Sequence, residues 1–298
     1  MYRALNTYSL RNEWDKVAKK GMASVIALCK DMDISAMEIL DKHFKPETLT
    51  EDTQALADAG ISVFSIGPHV HLLVKPGEVD KMVADGKHWL ELAQGAGIGN
   101  VRFQVGDGPL PKAFPPMPDF SDEEWTDYDE QMQEAVDLSA KVIDPLVEQA
   151  ESLGVTIAIE THHSYSSNFR YMKLVNDRWP SSRLGWIFDI GNYENDYMRW
   201  EGLETIKSRT AYVHAKAYDF DGNGFEKKLD YPKACSILNE AGFAGAWSIE
   251  FEGKAMGILG AMQTNELLKY CLATVEGSSY DMVTSFPSEK DLLKKYKQ

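Results

Sequence analysis

Positive charge is in short supply. The 298-residue chain carries 31 Lys and Arg against 46 Asp and Glu, a formal net charge of -15. Phosphate binding relies on clustered Lys and Arg, so the deficit argues against a nucleic-acid partner and against a polybasic membrane contact. Cysteine is scarcer still. Cys29, Cys235 and Cys271 are scattered, odd in number and without CxxC spacing, which excludes a disulfide framework and leaves buried free thiols as the plain reading. No apolar run approaches the roughly 20 residues needed to span a bilayer. The opening MYRALNTYSLRNEW lacks the apolar core of a secretory signal, so a cytoplasmic location is expected. No GxGxxG fingerprint or phosphate-loop motif follows any apolar segment. What remains is 44% hydrophobic and 11% aromatic, enough for a sizeable core.

That apolar material is distributed rhythmically. Eight short segments suit strands: Leu5–Leu10, Ala36–Leu40, Ile61–Ile66, Asn100–Val105, Val155–Glu160, Leu184–Ile190, Ala211–Ala217 and Ala246–Phe251. Helix-period stretches lie between most of them, including Thr50–Ala59, Asp80–Ala96 and Trp125–Leu153, stopped by Gly60, Gly97 and Gly154. Helix, glycine, then strand recurs at Gly60–Ile61, Gly154–Val155 and Gly242–Phe243. Repeated β-then-α order implies parallel strands with right-handed crossovers. Eight such units predict an α/β fold, a single-domain (β/α)8 TIM barrel, with an open doubly wound sheet as the alternative.

Two segments break the rhythm. Gly106–Ser121, GDGPLPKAFPPMPDFS, is dense in Pro and Gly and would sit at the barrel mouth, as a lid or as a passive insertion. The barrel is expected over residues 1–276, with a C-terminal extension over 277–298 that ends in the basic amphipathic DLLKKYKQ.

Barrel chemistry gathers at the C-terminal ends of strands. Strand five ends at Glu160 in IAIETHH, strand six at Asp189 in WIFDIGN, strand seven carries His214 in YVHAKAY, and strand eight ends at Glu250 in WSIEFEG. Each follows or lies in an apolar run, and isolated carboxylates are costly to bury. Three of them converging without a cation would repel one another. One divalent metal ion resolves the conflict. Oxygen-rich ligation with one imidazole suits Mn²⁺ best, with Mg²⁺, Co²⁺ or Zn²⁺ as alternatives. Two positions of an octahedral ion stay open, which matches two vicinal oxygens of a sugar.

Residues two apart on a strand share a face. Ala158 and Thr156 therefore go with Glu160, Lys216 and Tyr212 with His214, and Ser248 and Glu252 with Glu250. The expected substrate-binding residues are His162, His163, Lys216, His71 and Asn192. The plainer reading of the first two is a loop hydrogen bond, and of Lys216 a salt bridge to Glu252 or Asp189. Glu38 could hold substrate or orient another group. His69 and His43 are weaker candidates, and Trp14, Phe114 and Trp186 could wall a sugar face.

At these strand ends the chain resembles the xylose isomerase-like TIM-barrel superfamily, in its sugar phosphate isomerase/epimerase group. The carrying segments are AMEILDKHF, GVTIAIETHHSYSSN, LGWIFDIGN, YVHAKAYDFDGNG and WSIEFEG. The resemblance implies that Glu160, Asp189, His214 and Glu250 ligate one metal and that Glu160 and Glu250 double as catalytic acid and base. It implies a metal-dependent sugar isomerase or epimerase working by proton abstraction next to a carbonyl, through a cis-enediolate. The alternatives it carries are a lyase, either a keto-inositol dehydratase or a C-glycoside-cleaving subunit acting on an oxidised sugar, and a non-catalytic sugar-binding subunit. The expected partner is a small-molecule sugar or derivative. A homo-oligomer is the expected assembly, a hetero-oligomer the alternative. Two features depart from the ketose 3-epimerase pattern. Asn192 stands where a His is usual, and AKAYDFDG after His214 lacks the usual Arg. The zinc-cluster endonucleases of the superfamily need further His and Asp ligands that this chain lacks.

Overall fold

A computed structural model describes residues 1–18, 21–106, 108–111 and 120–297. Among them, eight strands run in chain order around a closed barrel: β1 (Tyr2–Asn6), β2 (Ala36–Leu40), β3 (Ser62–Gly67), β4 (Asn100–Gln104), β5 (Thr156–Glu160), β6 (Leu184–Asp189), β7 (Thr210–Ala217) and β8 (Ala246–Phe251). A longer helix follows each, the first after a four-residue helix at Trp14–Val17: α1 (Ala23–Asp31), α2 (Leu49–Asp58), α3 (Val79–Gly95), α4 (Asp122–Leu153), α5 (Phe169–Arg178), α6 (Asp196–Ile206), α7 (Tyr231–Glu240) and α8 (Gly257–Val275). A further helix, α9 (Glu289–Tyr296), lies near the end of the chain. None of these helices is long and apolar enough to cross a membrane.

The first strand differs from expectation. It spans Tyr2–Asn6, and Thr7–Leu10 turns into a short 3₁₀ helix. Two local forces decide this. Tyr2 to Leu5 pair in parallel with Ala246 to Ile249 of β8, and the Asn6 side chain then accepts from the Tyr8 backbone N–H at 2.9 Å, capping the turn. The other seven strands start and stop within one residue of their expected bounds. The glycine stops hold as well: Gly154 adopts φ 71° after α4, closing a helix opened by a capping box between Ser121 and Glu124. Most of the Pro- and Gly-rich segment, including Phe114, lies outside the described residues.

The chain forms two compact units. In the first, Met1–Ile66 with Tyr212–Gln298, β1 pairs with β2 and β8, and β7 pairs with β8. Its buried layer includes Leu28, Leu56, Leu238 and Leu268 from the helices and Leu5, Trp247 and Ile249 from the strands, each such side chain contributing about 1.5–3 kcal/mol. In the second, Gly67–Ala211, β4, β5 and β6 pair in parallel. There α4 lies so close to α3 that a Cβ on Gly86 would meet Leu146 at 2.8 Å.

All five residues of β2 and all six of β6 and β8 are buried. That is why these strands read as continuous apolar runs rather than alternating ones. Polar residues inside them are therefore costly unless partnered, and they mark the site.

Candidate metal centre

Glu160, Asp189, His214 and Glu250 are all buried, and each offers one ligand atom within 4.8 Å of the others. Ligand atoms bound at about 2.1 Å from one ion lie at most about 4.2 Å apart across it. The limit of 4.8 Å is slightly wider than that span. Three carboxylates with an imidazole are also the right donors for a hard divalent ion. The cluster could hold a metal.

Each of the four side chains is held by neighbours on its own part of the sheet. Register places Gln104 beside Glu160 on β4 and β5. Glu160 Oε2 accepts from Arg102 Nη1 at 2.6 Å and Gln104 Nε2 at 2.9 Å. Gly67 makes room for the guanidinium, because a Cβ there would meet Arg102 Nε at 2.4 Å. Sequence reasoning missed Arg102 and Gln104. The available signal was alternation: Asn100, Arg102 and Gln104 share one face of a strand whose Val101 and Phe103 are buried.

Asp189 is braced from three sides. Its backbone N–H donates to Thr161 Oγ1 at 2.9 Å, Gly191 N–H donates to Oδ1 at 2.8 Å, and Asn192 Nδ2 donates to Oδ2 at 2.7 Å. Asn192 is itself fixed, its carbonyl accepting from Ser167 Oγ at 2.6 Å.

On β7 and β8, His214 lies between two carboxylates. Its Nε2 is 2.9 Å from Glu38 Oε2, and its Nδ1 is 2.8 Å from Glu250 Oε2. Lys216 Nζ reaches Glu252 Oε2 at 3.0 Å and Glu250 Oε1 at 3.5 Å. Tyr8 donates to Glu252 Oε1 at 2.9 Å. Burial, and then the Glu252 carboxylate, hold the Tyr8 phenol above its ordinary range. The expected face-sharing of His214 with Tyr212 and Lys216, and of Glu250 with Ser248 and Glu252, accounts for these contacts.

The remaining candidates lie elsewhere. His162 and His163 are exposed, edge to face with each other at 5.3 Å. His163 adopts φ 58° and Ser164 φ 48°, a backbone strain that tends to be kept at working sites. His163 Nδ1 is 3.8 Å from Glu194. His71 bridges to Gln104 beside β4 and packs against His69 at 4.6 Å. His43 stacks on Trp14 at 4.3 Å, and burial followed by the Lys42 charge lowers the ring's pKa to about 4. Trp186 does not wall a sugar face: it is buried and donates to Asn176 of α5 at 2.9 Å. Strand parity explains it, since Trp186 is an odd number of residues from Asp189. Beyond β7 and β8, Phe220 stacks on Phe251 beside a cavity of about 700 Å³ that Glu252, Lys227 and Lys254 also line.

A closed order of eight strands, with a carboxylate–imidazole cluster on the last four, defines a TIM barrel with a candidate metal centre. The chain belongs to the xylose isomerase-like TIM barrel family, which it matches over residues 26–271. Its fold is similar to that of the IolI protein solved with a zinc atom (17% identity, TM-score 0.66, covering 95% of this chain and all of that one). It is similar too to a D-tagatose 3-epimerase-like protein (18% identity, TM-score 0.67, covering 93% and 99%). A 64-residue stretch is 40% identical to the C-glycoside deglycosidase alpha subunit of Arthrobacter globiformis, covering 22% of this chain. That match spans only 18% of the curated relative's length.

Proposed function

We propose that this protein is a divalent-metal-dependent sugar isomerase or epimerase that removes a proton next to a carbonyl. The single observation behind the reading is the buried set Glu160, Asp189, His214 and Glu250, whose ligand atoms all lie within 4.8 Å of one another. Those four residues would hold one ion, Mn²⁺ by preference. The ion would supply charge to polarise two vicinal sugar oxygens.

The chain's own residues do the rest. Glu160 and Glu250 act as the base and acid, one taking the proton and the other returning it. Return to the opposite face inverts the centre, and return to the neighbouring carbon interconverts aldose and ketose. Arg102 and Gln104 keep Glu160 Oε2 fixed while the proton moves. Lys216, 3.5 Å from Glu250 Oε1, steadies negative charge on that side. Asn192 orients Asp189 through its 2.7 Å hydrogen bond. His71, His162 and His163 contact the substrate.

A second reading has its own support. The local match to a C-glycoside deglycosidase subunit and the cavity of about 700 Å³ beside Glu252, lined by Phe220 and Phe251 as well as charged side chains, favour lyase action on an oxidised, larger glycoside. The same proton abstraction would then expel a β-substituent, with a second subunit as partner.

The experiment is incubation of the Mn²⁺-loaded protein in deuterated water with unoxidised and oxidised sugars, read by proton NMR. Deuterium is expected at the carbon beside the carbonyl, with uptake lost on chelation and in Glu160→Gln and Glu250→Gln. Release of an aglycone with an oxidised C-glycoside selects the lyase. Absence of label in every sugar class overturns the isomerase reading. A Glu160→Gln or Glu250→Gln protein that performs the full function marks a binding subunit instead.

A further inference from the structure

Glu38 is a carboxylate with no contact to the outside. It sits on β2 at 0% exposure, and its two oxygens gather four neighbours. Asn6 Nδ2 donates at 3.1 Å and Ser248 Oγ at 2.7 Å, both to Oε2. Tyr212 donates to Oε1 at 2.9 Å. His214 Nε2 completes the set at 2.9 Å. The phenol of Tyr212 has one proton and directs it at Glu38, so the 2.9 Å contact with Ser65 must have the serine hydroxyl as donor. A relay of hydroxyls thus points inward from Ser65 through Tyr212 to the carboxylate. Such a buried group is tolerable because both its oxygens are hydrogen-bonded.

The consequence falls on the ring. A carboxylate accepts and cannot donate, so Nε2 of His214 must carry a proton. The opposite nitrogen, Nδ1, then faces Glu250 Oε2 at 2.8 Å. With Nε2 occupied as donor, a neutral ring presents a lone pair at Nδ1, beside an oxygen that is also an acceptor. Two acceptors at that distance need either a proton between them or a cation bound by both.

We propose that Glu38 is the positioning residue of the metal centre: by accepting from His214 Nε2 it fixes the ring's tautomer and rotation, so that Nδ1 is the ligand atom. The inference rests on the reading of His214 as a metal ligand. Carboxylates behind ligating imidazoles typically change metal affinity 10–100-fold when removed. Here the carboxylate is on β2, far in sequence from the ligands, and Asn6, Tyr212 and Ser248 exist in the site to hold it.

The test uses the full chain with ring-¹⁵N-labelled histidine and Zn²⁺ as a diamagnetic probe. In the wild-type protein, a proton is expected on Nε2 and the ion on Nδ1. In Glu38→Ala, Zn²⁺ affinity by titration calorimetry is expected to fall 10–100-fold, with loss of the slowly exchanging Nε2 proton. Glu38→Gln keeps an acceptor oxygen and is expected to restore the Nε2 proton signal and part of the affinity. A merely structural role would lower the melting temperature in both variants and leave the ring signal unmoved. The proposal is overturned if Zn²⁺ sits on Nε2 in the wild type, a result that needs no variant to fold. It is overturned too if Glu38→Ala keeps both signal and affinity. If the wild type binds no Zn²⁺, the metal reading fails by itself. Glu38 is then judged on the metal-free spectrum, where an Nε2 proton lost in Glu38→Ala supports its positioning role and its absence in the wild type refutes it.

Discussion

Arg102 Nη1 lies 2.6 Å from Glu160 Oε2, with the carboxylate 1% and the guanidinium 13% exposed. Removing the cation from such a pair leaves a buried charge and costs about 3–5 kcal/mol. Arg102→Met is expected to lose that much stability in chelator and clearly less in Mn²⁺, because the ion compensates the same carboxylate. Urea unfolding in both conditions gives the comparison. Equal losses in the two would show that Glu160 does not face a metal.

Asn192 Nδ2 donates to Asp189 Oδ2 at 2.7 Å. Asn192→Ala strips one buried carboxylate oxygen of its donor, at a cost of about 1–3 kcal/mol. Metal affinity should fall with it, since a carboxylate without its brace samples more rotamers. Calorimetric titration checks the affinity and denaturant melts check the stability.

Metal removal should be visible without any substrate. An ion that binds only the folded chain stabilises it by about 2.7 kcal/mol at a hundredfold excess over Kd. Chelation is therefore expected to lower the melting temperature, and Mn²⁺ to restore it. His214→Asn and Glu250→Gln should abolish the shift while the metal content per chain, by mass spectrometry, drops from one toward zero.

His43 gives a pH dependence independent of the metal. Its ring is stacked on Trp14, and its pKa falls from 6.5 to about 4, burial leading and Lys42 adding. Between those values the unfolded chain holds more protons than the folded one, so this residue's contribution is complete above 6.5 and lost as the pH falls toward 4. His43→Phe keeps a ring on Trp14 without the titration. In chelator, the variant should gain on the wild type steadily across that interval, by urea midpoints. A constant difference would refute the assignment.

Helix α8 approaches β8 through a gap that only glycine allows. A Cβ on Gly260 would meet the Phe251 ring at 2.2 Å. Gly260→Ala is expected to cost about 1–3 kcal/mol through overpacking, despite the better helix propensity of alanine. A stabilised variant in thermal melts would contradict the packing.

Much of this was legible in one dimension. Strand-suited runs separated by glycine-stopped helices located seven strands within a residue, because burial on both faces writes continuous apolar runs. The four clustered residues stood out as ionisable residues in those runs. The first strand was misplaced, because LNTYSL is as apolar as a strand and only the Asn6 cap and the pairing with β8 end it early. Trp186 was misassigned for want of one parity step from Asp189.

The residue types at the strand ends, and with them the need for partners, follow from the sequence alone. A buried carboxylate needs a partner whatever the fold, and four strands in succession supplied such groups. Which partner each received was decided only in three dimensions. Arg102 and Gln104 reach Glu160 because parallel register sets β4 beside β5. Asn6, Tyr212, His214 and Ser248 converge on Glu38 of β2 from β1, β7 and β8. Hydrogen bonds such as that from Ser248 to Glu38 depend on distances of a few ångströms between residues 210 positions apart, and no local pattern encodes that proximity.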